Sequence, residues 1–282
     1  MRLFPRRLNF LLISLILGFA FLYIPILSLI IYSFNESKLV TVWGGFSTKW
    51  YGELFRNEQI IEAALLSLRI AVASACAAVV LGTIAGFVLA RMRRFRGRTL
   101  LAGMTMAPLV MPEIITGLSL LLFFIALEKL TGWPNGRGIT TVTIAHITFS
   151  MAYVAVIVQS RLADMDPSLE EAAMDLGAKP FVIFFAITLP IVAPALVSGW
   201  LLAFTLSIDD LVIASFVSGP GASTLPMVIY SKVRLGVSPD INALATIIIA
   251  IVAVGVLLAA LALKRQERMR NRDAQLATLL DE

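Results

Sequence analysis

The sequence predicts an all-α membrane protein with six transmembrane helices, and three observations carry that prediction. Hydrophobic residues make up 59% of the 282-residue chain and charged residues 15%, whereas ordinary soluble domains hold roughly 45–50% apolar and about 25% charged residues. That inventory leaves too little polar surface to face water on all sides. Second, several long stretches contain no Asp, Glu, Lys or Arg, and another is interrupted by one acid alone. A helix needs about 20 apolar residues to cross the hydrocarbon core, because its backbone polar groups must be satisfied within the segment. Third, basic residues collect on alternate connections. One Cys and one His provide no disulfide framework and no Cys-rich zinc site.

The charge-free stretches place the spans in order. Residues 8–35 hold the first span, at about 10–33, and residues 70–90 the second. Residues 99–127, broken by Glu113, hold the third at 100–127; residues 138–160 hold the fourth at 139–160. Residues 180–208 lead into the fifth at 191–213, and 241–263 hold the sixth at 242–263. Residues 211–231 also lack charge, but Ser218-Gly219-Pro220-Gly221 and Pro226 mark the end of the fifth span and a loop, possible as a re-entrant segment. The chain thus reads as a single transmembrane domain, 1–282. Its basic start and apolar run look like a signal peptide, yet the run is too long and no small-residue cleavage site follows, so it is expected to be an uncleaved first span.

Charge sets the direction. One side carries Arg2, Arg6 and Arg7, then Arg91, Arg93, Arg94, Arg96 and Arg98, then Arg161 and Lys179, then Lys264, Arg265, Arg268, Arg270 and Arg272. The other side carries fewer: Lys38, Lys49, Arg56, Arg69, Lys129, Arg137, Lys232 and Arg234. The positive-inside bias puts both termini in the cytoplasm. The loop 36–69 then faces outward, and its Trp43, Trp50 and Tyr51 are expected to anchor at the membrane interface. The tail 264–282 is a charged helical end with a topological role. Gly82-x-x-x-Gly86 permits close helix packing, expected within the subunit. Cys76 reads as a small buried apolar residue, the ten Met as packing filler, and His146 as a neutral imidazole bonded to a backbone carbonyl.

One cytoplasmic connection, 161–190, is longer than a simple bundle requires. Asp166 suits an N-cap, Pro167 the first helical position, and Glu170 and Glu171 the positive helix end. Gly177 suits the left-handed closing position. The predicted helix is therefore 167–176, about 15 Å long. Leu169, Ala172, Ala173 and Leu176 fall at i, i+3, i+4 and i+7 and form one apolar stripe. Lys179-Pro180 restarts a short helix, and Leu189-Pro190 is expected to turn the chain into the fifth span. An amphipathic helix at the cytoplasmic face fits a partner's groove. The other reading, a helix lying in the headgroups, favours a basic polar face, and this one is acidic.

Ionisable residues inside a membrane are costly and mark function by default. Glu113 interrupts span 3, and Asp209 and Asp210 lie towards the end of span 5. At the helical rise, Glu113 stands about 21 Å beyond Thr99 and Asp209 about 27 Å beyond Ile191, so all three fall in the outer half. Adjacent Asp residues point about 100° apart, so one lines a path while the other pairs with a neighbouring helix. Three acids without a base at that depth suit a cationic solute. The competing reading, that the Asp pair opens a solvated loop and Glu113 caps a broken helix, stays open.

Glu171-Ala172-Ala173, Gly177, Ile187 and Leu189-Pro190 match EAA-x3-G-x9-I-x-LP without a gap. This resembles the motif of the membrane subunits of binding-protein-dependent ABC importers. The resemblance implies the type I importer permease fold, with Glu170, Glu171, Ala172, Ala173, Leu176 and Gly177 on a coupling helix that docks an ATPase. The stretch Phe204 to Pro220, Tyr32-Ser33-Phe34-Asn35, and the stretch Gly236 to Thr246 are similar to the polyamine importer permeases, those for putrescine above all and those for spermidine second. Glu113 stands where Asp is expected in those relatives, which keeps the charge and shifts its position. The resemblance implies a second, homologous permease subunit, two ATP-binding subunits, a periplasmic substrate-binding protein and the lipid bilayer as partners. It implies no cofactor on this chain, with ATP and Mg held by the ATPase.

The chain has no G-x-x-x-x-G-K-[ST] phosphate loop, no H-E-x-x-H, no Ser/His/Asp motif, and no fold to present its basic runs to nucleic acid. Two rivals remain open. A proton-coupled transporter would use the three acids as a relay but has no need of the EAA loop, and a membrane scaffold would use the loop and leave the acids idle.

Overall fold

The computed structural model describes residues 4–39, 42–92, 94–236 and 238–280. Arg2 and Arg93, counted in the charge bias, and Val237 of the polyamine-permease signature lie outside the described residues. The chain is helical throughout: α1 (Phe4–Ser33), α2 (Lys49–Arg56), α3 (Glu58–Arg91), α4 (Arg98–Val110), α5 (Glu113–Thr131), α6 (Ile139–Ala163), α7 (Ser168–Asp175), α8 (Pro180–Ile183), a π segment (Phe184–Thr188), α9 (Leu189–Ile208), α10 (Val212–Val217), α11 (Leu225–Leu235) and α12 (Pro239–Leu280). Among the described residues five helical stretches are long and apolar enough to cross a bilayer: Phe10–Ser33, Glu58–Arg91, Glu113–Thr131, Ile139–Ala163 and Pro180–Ile208. Pro239–Gly255 is a shorter apolar stretch within α12.

The chain forms two compact units, one of residues 1–58 and 232–282 and one of residues 59–231. In the first, α12 packs on α1 and α2, and the chain after α1 is organised by Asn35. This residue is fully buried. Its Oδ1 accepts the Gly44 N–H at 2.8 Å, and its Nδ2 donates to the Val42 carbonyl at 2.8 Å. Its own carbonyl takes the Trp50 Nε1–H at 2.6 Å. Trp50 is therefore a buried holding residue and not the interface anchor expected, whereas Trp43 is half-exposed. Tyr51 bonds Ser33 through its hydroxyl at 2.7 Å. Lys232 Nζ lies 2.8 Å from Asp240 and joins α11 to α12.

The second unit is built around α6, which packs against α9, α4 and α10. One apolar cluster gathers Ile70, Phe124, Val142, Ala145, Phe149, Ile213, Ala214 and Val217; the other gathers Ala75, Ala78, Val154, Val158, Leu162, Met165, Val192 and Ala203. Small residues let the helices meet. A Cβ on Gly82 would stand 2.7 Å from Val154 Cβ, and one on Gly86 would stand 2.6 Å from the Ala155 carbonyl. The GxxxG pair thus serves packing inside the subunit, as expected; Cys76 on the same helix is exposed and not buried, its sulfur accepting the Trp200 Nε1–H at 3.3 Å.

Four features differ from the sequence reading. Span 3 is two helices, because Pro112 excludes Met111 from the helical region; Met111 is extended at φ −75°, ψ 137°, and α4 stops at Val110. Span 2 starts at Glu58 instead of Ile70, and Glu58 and Arg91 complement the dipole at its two ends. Leu189-Pro190 does not turn the chain. Helix runs from Pro180 to Ile208 through the π segment, a widening that answers the N–H missing at Pro190. The fifth span ends at Ile208, short of residue 213.

Candidate functional site

Helix α7 forms where local chemistry placed it. The Asp166 carboxylate accepts the Ser168 N–H at 3.0 Å; that bond and the Ser168 hydroxyl hold it below its ordinary pKa. Gly177 closes the helix at φ +83°. Its N–H bonds the Met174 carbonyl at 2.9 Å, and the Ala178 N–H bonds the Ala173 carbonyl at 3.0 Å, the paired bonds of a left-handed C-terminal stop. Leu169 is 47% and Leu176 90% exposed, and Ala172 and Glu171 are exposed with them, while Ala173 is half-buried. Most of the apolar stripe therefore lies open.

Glu170 faces the other way. Its Oε2 is 2.9 Å from Arg91 Nε at the end of α3, and its Oε1 accepts the Thr188 hydroxyl at 2.6 Å from the π segment. Arg91 Nη1 also donates to the Leu162 carbonyl near the end of α6 at 3.1 Å. One carboxylate thus ties the first turn of α7 to the end of α3 and to the π segment, and through Arg91 to α6. The sequence placed Glu170 with the exposed coupling face and carried no local signal for this contact, since Arg91, Glu170 and Thr188 are far apart along the chain.

Two of the acids, Asp209 and Asp210, immediately precede α10. Its positive end is capped by Asp210, which accepts the Ile213 N–H at 3.2 Å and the Ala214 N–H at 2.7 Å. At its other end the Val217 carbonyl takes the Thr141 hydroxyl at 2.7 Å, and the Phe216 carbonyl takes Arg137 Nη1 at 3.3 Å. Gly117 of α5 gives α10 room, since a Cβ there would stand 2.7 Å from Phe216 and 3.3 Å from Ile213 Cα. Both α5 and α10 run towards the chain that opens α6. Gly117, one turn after Glu113 in α5, thus packs on residues of α10 that follow Asp209 and Asp210. Glu113 and Asp209 are exposed. The Asp210 side chain is 8% exposed. The two acids sit in the break between α9 and α10 and not on one helix, so the 100° spacing expected of them does not apply; the break itself leaves Asp209 exposed and Asp210 engaged.

His146 is not bonded to a backbone carbonyl. It is 2% exposed, with Nδ1 2.6 Å from Ser207 Oγ and Nε2 3.1 Å from Asp210 Oδ2. Ser74 Oγ lies 3.0 Å from Ser207 Oγ. The row Ser74, Ser207, His146, Asp210 joins α3, α9, α6 and the cap of α10. Ser207 lies in the last turn of α9 and Asp210 beyond its end, and nothing in the sequence signalled that His146 would stand between them. Among the described residues no group of three or more His, Cys, Asp and Glu could hold a metal ion.

The family described as the inner membrane component of binding-protein-dependent transport systems matches residues 78–271. The chain is 60% identical over 265 residues to the putrescine transport system permease protein PotI of Escherichia coli strain K12, covering 94% of each. It is 44% identical over 233 residues to the spermidine/putrescine transport system permease protein PotC of the same strain, covering 83% of this chain and 86% of that one. A chain in the crystal structure of a bacterial ABC transporter that imports the acidic polysaccharide alginate superposes with a TM-score of 0.69 at 16% identity, covering 93% of this chain and 98% of its own. That likeness establishes the shared fold.

Proposed function

The chain belongs to the inner membrane components of binding-protein-dependent transport systems, and from that membership we propose that this multi-pass permease subunit of the bacterial inner membrane imports a polyamine, putrescine first. The observation that carries the cargo is the 60% identity to a putrescine permease across 94% of both chains. Chemistry agrees: Glu113 and Asp209 are exposed carboxylates, each beside a break between two helices, and a cation shedding water at such a group gains back part of its hydration. A spermidine-type cargo is the second reading, supported by the 44% relative.

The single transmembrane domain 1–282 has both termini in the cytoplasm, which puts α7 on that side and the acids in the outer half. A second, homologous permease completes the path, a periplasmic binding protein delivers the amine, and two ATP-binding subunits hold ATP and Mg. This chain is not itself the enzyme. Glu171, Ala172, Leu169 and Leu176 enter a groove of the ATPase, and Glu170, Ala173 and Gly177 shape the helix that carries them. Closure of the ATPase pair displaces α7, and the Glu170 contacts pass that displacement to α3 and α9.

The test is ATPase activity and amine uptake by the complex purified through this chain and reconstituted in lipid, with its binding protein loaded with putrescine, spermidine or a non-amine. Stimulation by putrescine supports the reading, and stimulation by spermidine alone moves it to the second. A co-purifying ATPase indifferent to amines removes the cargo, and absence of any ATPase overturns the importer role.

A further inference from the structure

We propose that His146 is a positioning residue of the translocation path, and that Asp210, its partner, serves as the cap of α10 and not as a contact for the solute. The proposal deepens the function given above and rests on it for the cargo. Asp210 Oδ2 already accepts two donors, the Ala214 N–H at 2.7 Å and His146 Nε2 at 3.1 Å, and Oδ1 accepts the Ile213 N–H at 3.2 Å. A carboxylate so engaged has little left to offer an amine. Asp209, next in the chain, is exposed and lacks those bonds. The fixed member thus orients the free one.

The imidazole is held from both sides. With Asp210 ionised, Nε2 carries the proton it donates, and Nδ1 accepts the hydroxyl hydrogen of Ser207, which in turn accepts that of Ser74. Every polar atom in this buried row has a partner, so the row specifies one rotamer of His146 and one place for the start of α10. His146 stands in α6 seven residues after Ile139, about 10 Å along the helix. Thr141, on the same helix, holds the far end of α10. Helix α6 therefore sets both ends of the six-residue segment that follows Asp209.

The bonds assign opposite consequences to the two acids. Asp210→Asn can keep both Oδ2 bonds and forfeit only the longer one from Ile213; Asp210→Ala loses all three. Asp209→Asn keeps the fold and removes the charge presented to the solute. His146→Gln can still donate to Asp210, and His146→Leu cannot.

The experiment compares these five variants in the reconstituted complex by amine moved per ATP hydrolysed, and by backbone amide exchange over residues 211–217. Expected is a fall of about tenfold in amine per ATP for Asp209→Asn, Asp210→Ala and His146→Leu, the scale of one lost charge-assisted hydrogen bond, with Asp210→Asn and His146→Gln close to the parent. Exchange at Ala214 should accelerate in Asp210→Ala and His146→Leu and in none of the others, while exchange at Ile213 should accelerate in those two and also in Asp210→Asn, which gives up the Ile213 bond. Asp210→Asn as impaired as Asp209→Asn, or His146→Leu without faster exchange, overturns the proposal. If the parent complex moves no amine, the cargo assignment falls, while the exchange pattern still decides whether His146 holds the cap.

Discussion

Arg91 Nε stands 2.9 Å from Glu170 Oε2, so the end of α3 and the first turn of α7 share an ion pair. Helix α7 has no buried residue of its own, and an eight-residue helix is too short to persist in water by propensity alone. The pair, the Thr188 hydroxyl and the two caps supply what burial does not. They also make α7 part of the helices it must move.

Breaking that pair should uncouple ATP use from transport. Both side chains are about one-fifth exposed or less, and a pair so placed contributes about 1 kcal/mol. Glu170→Gln is expected to keep the Thr188 bond and lose coupling modestly, whereas Glu170→Ala loses both contacts. The ratio of amine-stimulated to basal ATPase in the reconstituted complex reads this; an unchanged ratio in Glu170→Ala would leave the contact without a role in coupling.

The open face of α7 makes a different prediction. Leu176 is 90% exposed, so Leu176→Asp should alter stability by no more than about 0.5 kcal/mol and yet reduce recovery of the ATPase with this chain. Glu171→Ala should behave likewise. Full co-purification in both would remove this face from the interface.

Gly177 tests backbone against contact. A Cβ there meets nothing within 4 Å, so the cost of Gly177→Val comes from φ +83° alone, at roughly 1–2 kcal/mol. Transport should fall in Gly177→Val and recover in Gly177→Asn, since Asn visits the left-handed region more readily. Equal loss in both variants, measured as uptake at matched expression, would point to contact with a partner instead.

Packing between α3 and α6 should be intolerant of a side chain at Gly86, whereas Gly103 of α4 should tolerate one. Gly86→Val drives a Cβ against the Ala155 carbonyl, overpacking that costs about 1–3 kcal/mol. Gly103→Ala meets open space and should be neutral or better. Thermal unfolding in detergent compares them, and a Gly86→Val protein as stable as the parent would contradict the observed approach.

Glu113 is the acid on the α5 side. It is exposed in the first turn after Pro112, where a carboxylate also suits the helix dipole. Glu113→Gln should therefore leave the fold nearly intact, within about 1 kcal/mol, and slow amine uptake. Uptake at the parent rate would assign Glu113 to capping alone.

The features legible in the sequence were those set by neighbours along the chain. Asp166, Gly177 and the i, i+3, i+4 stripe located α7 because helix stops and starts are local hydrogen-bond problems. Apolar run length located the membrane helices because a backbone in hydrocarbon has no other partner for its polar groups. Met111-Pro112 was legible in principle, as a proline restricts the residue before it, and Glu113 after it could be read as the cap of a broken helix, yet the length of the apolar run on both sides suggested one span.

Tertiary structure alone decided which faces meet. A sequence gives each helix its angular pattern but not its rotation about its own axis or its shift against the next helix, and those are set by close approaches such as Gly82 on Val154. Only that packing put His146 opposite Ser207 and Asp210, turned Glu170 back to Arg91, and buried Trp50 beside Asn35. It also separated Asp209 from Asp210. Two identical side chains, one peptide apart, differ because the end of one helix leaves the first exposed and the start of the next engages the second.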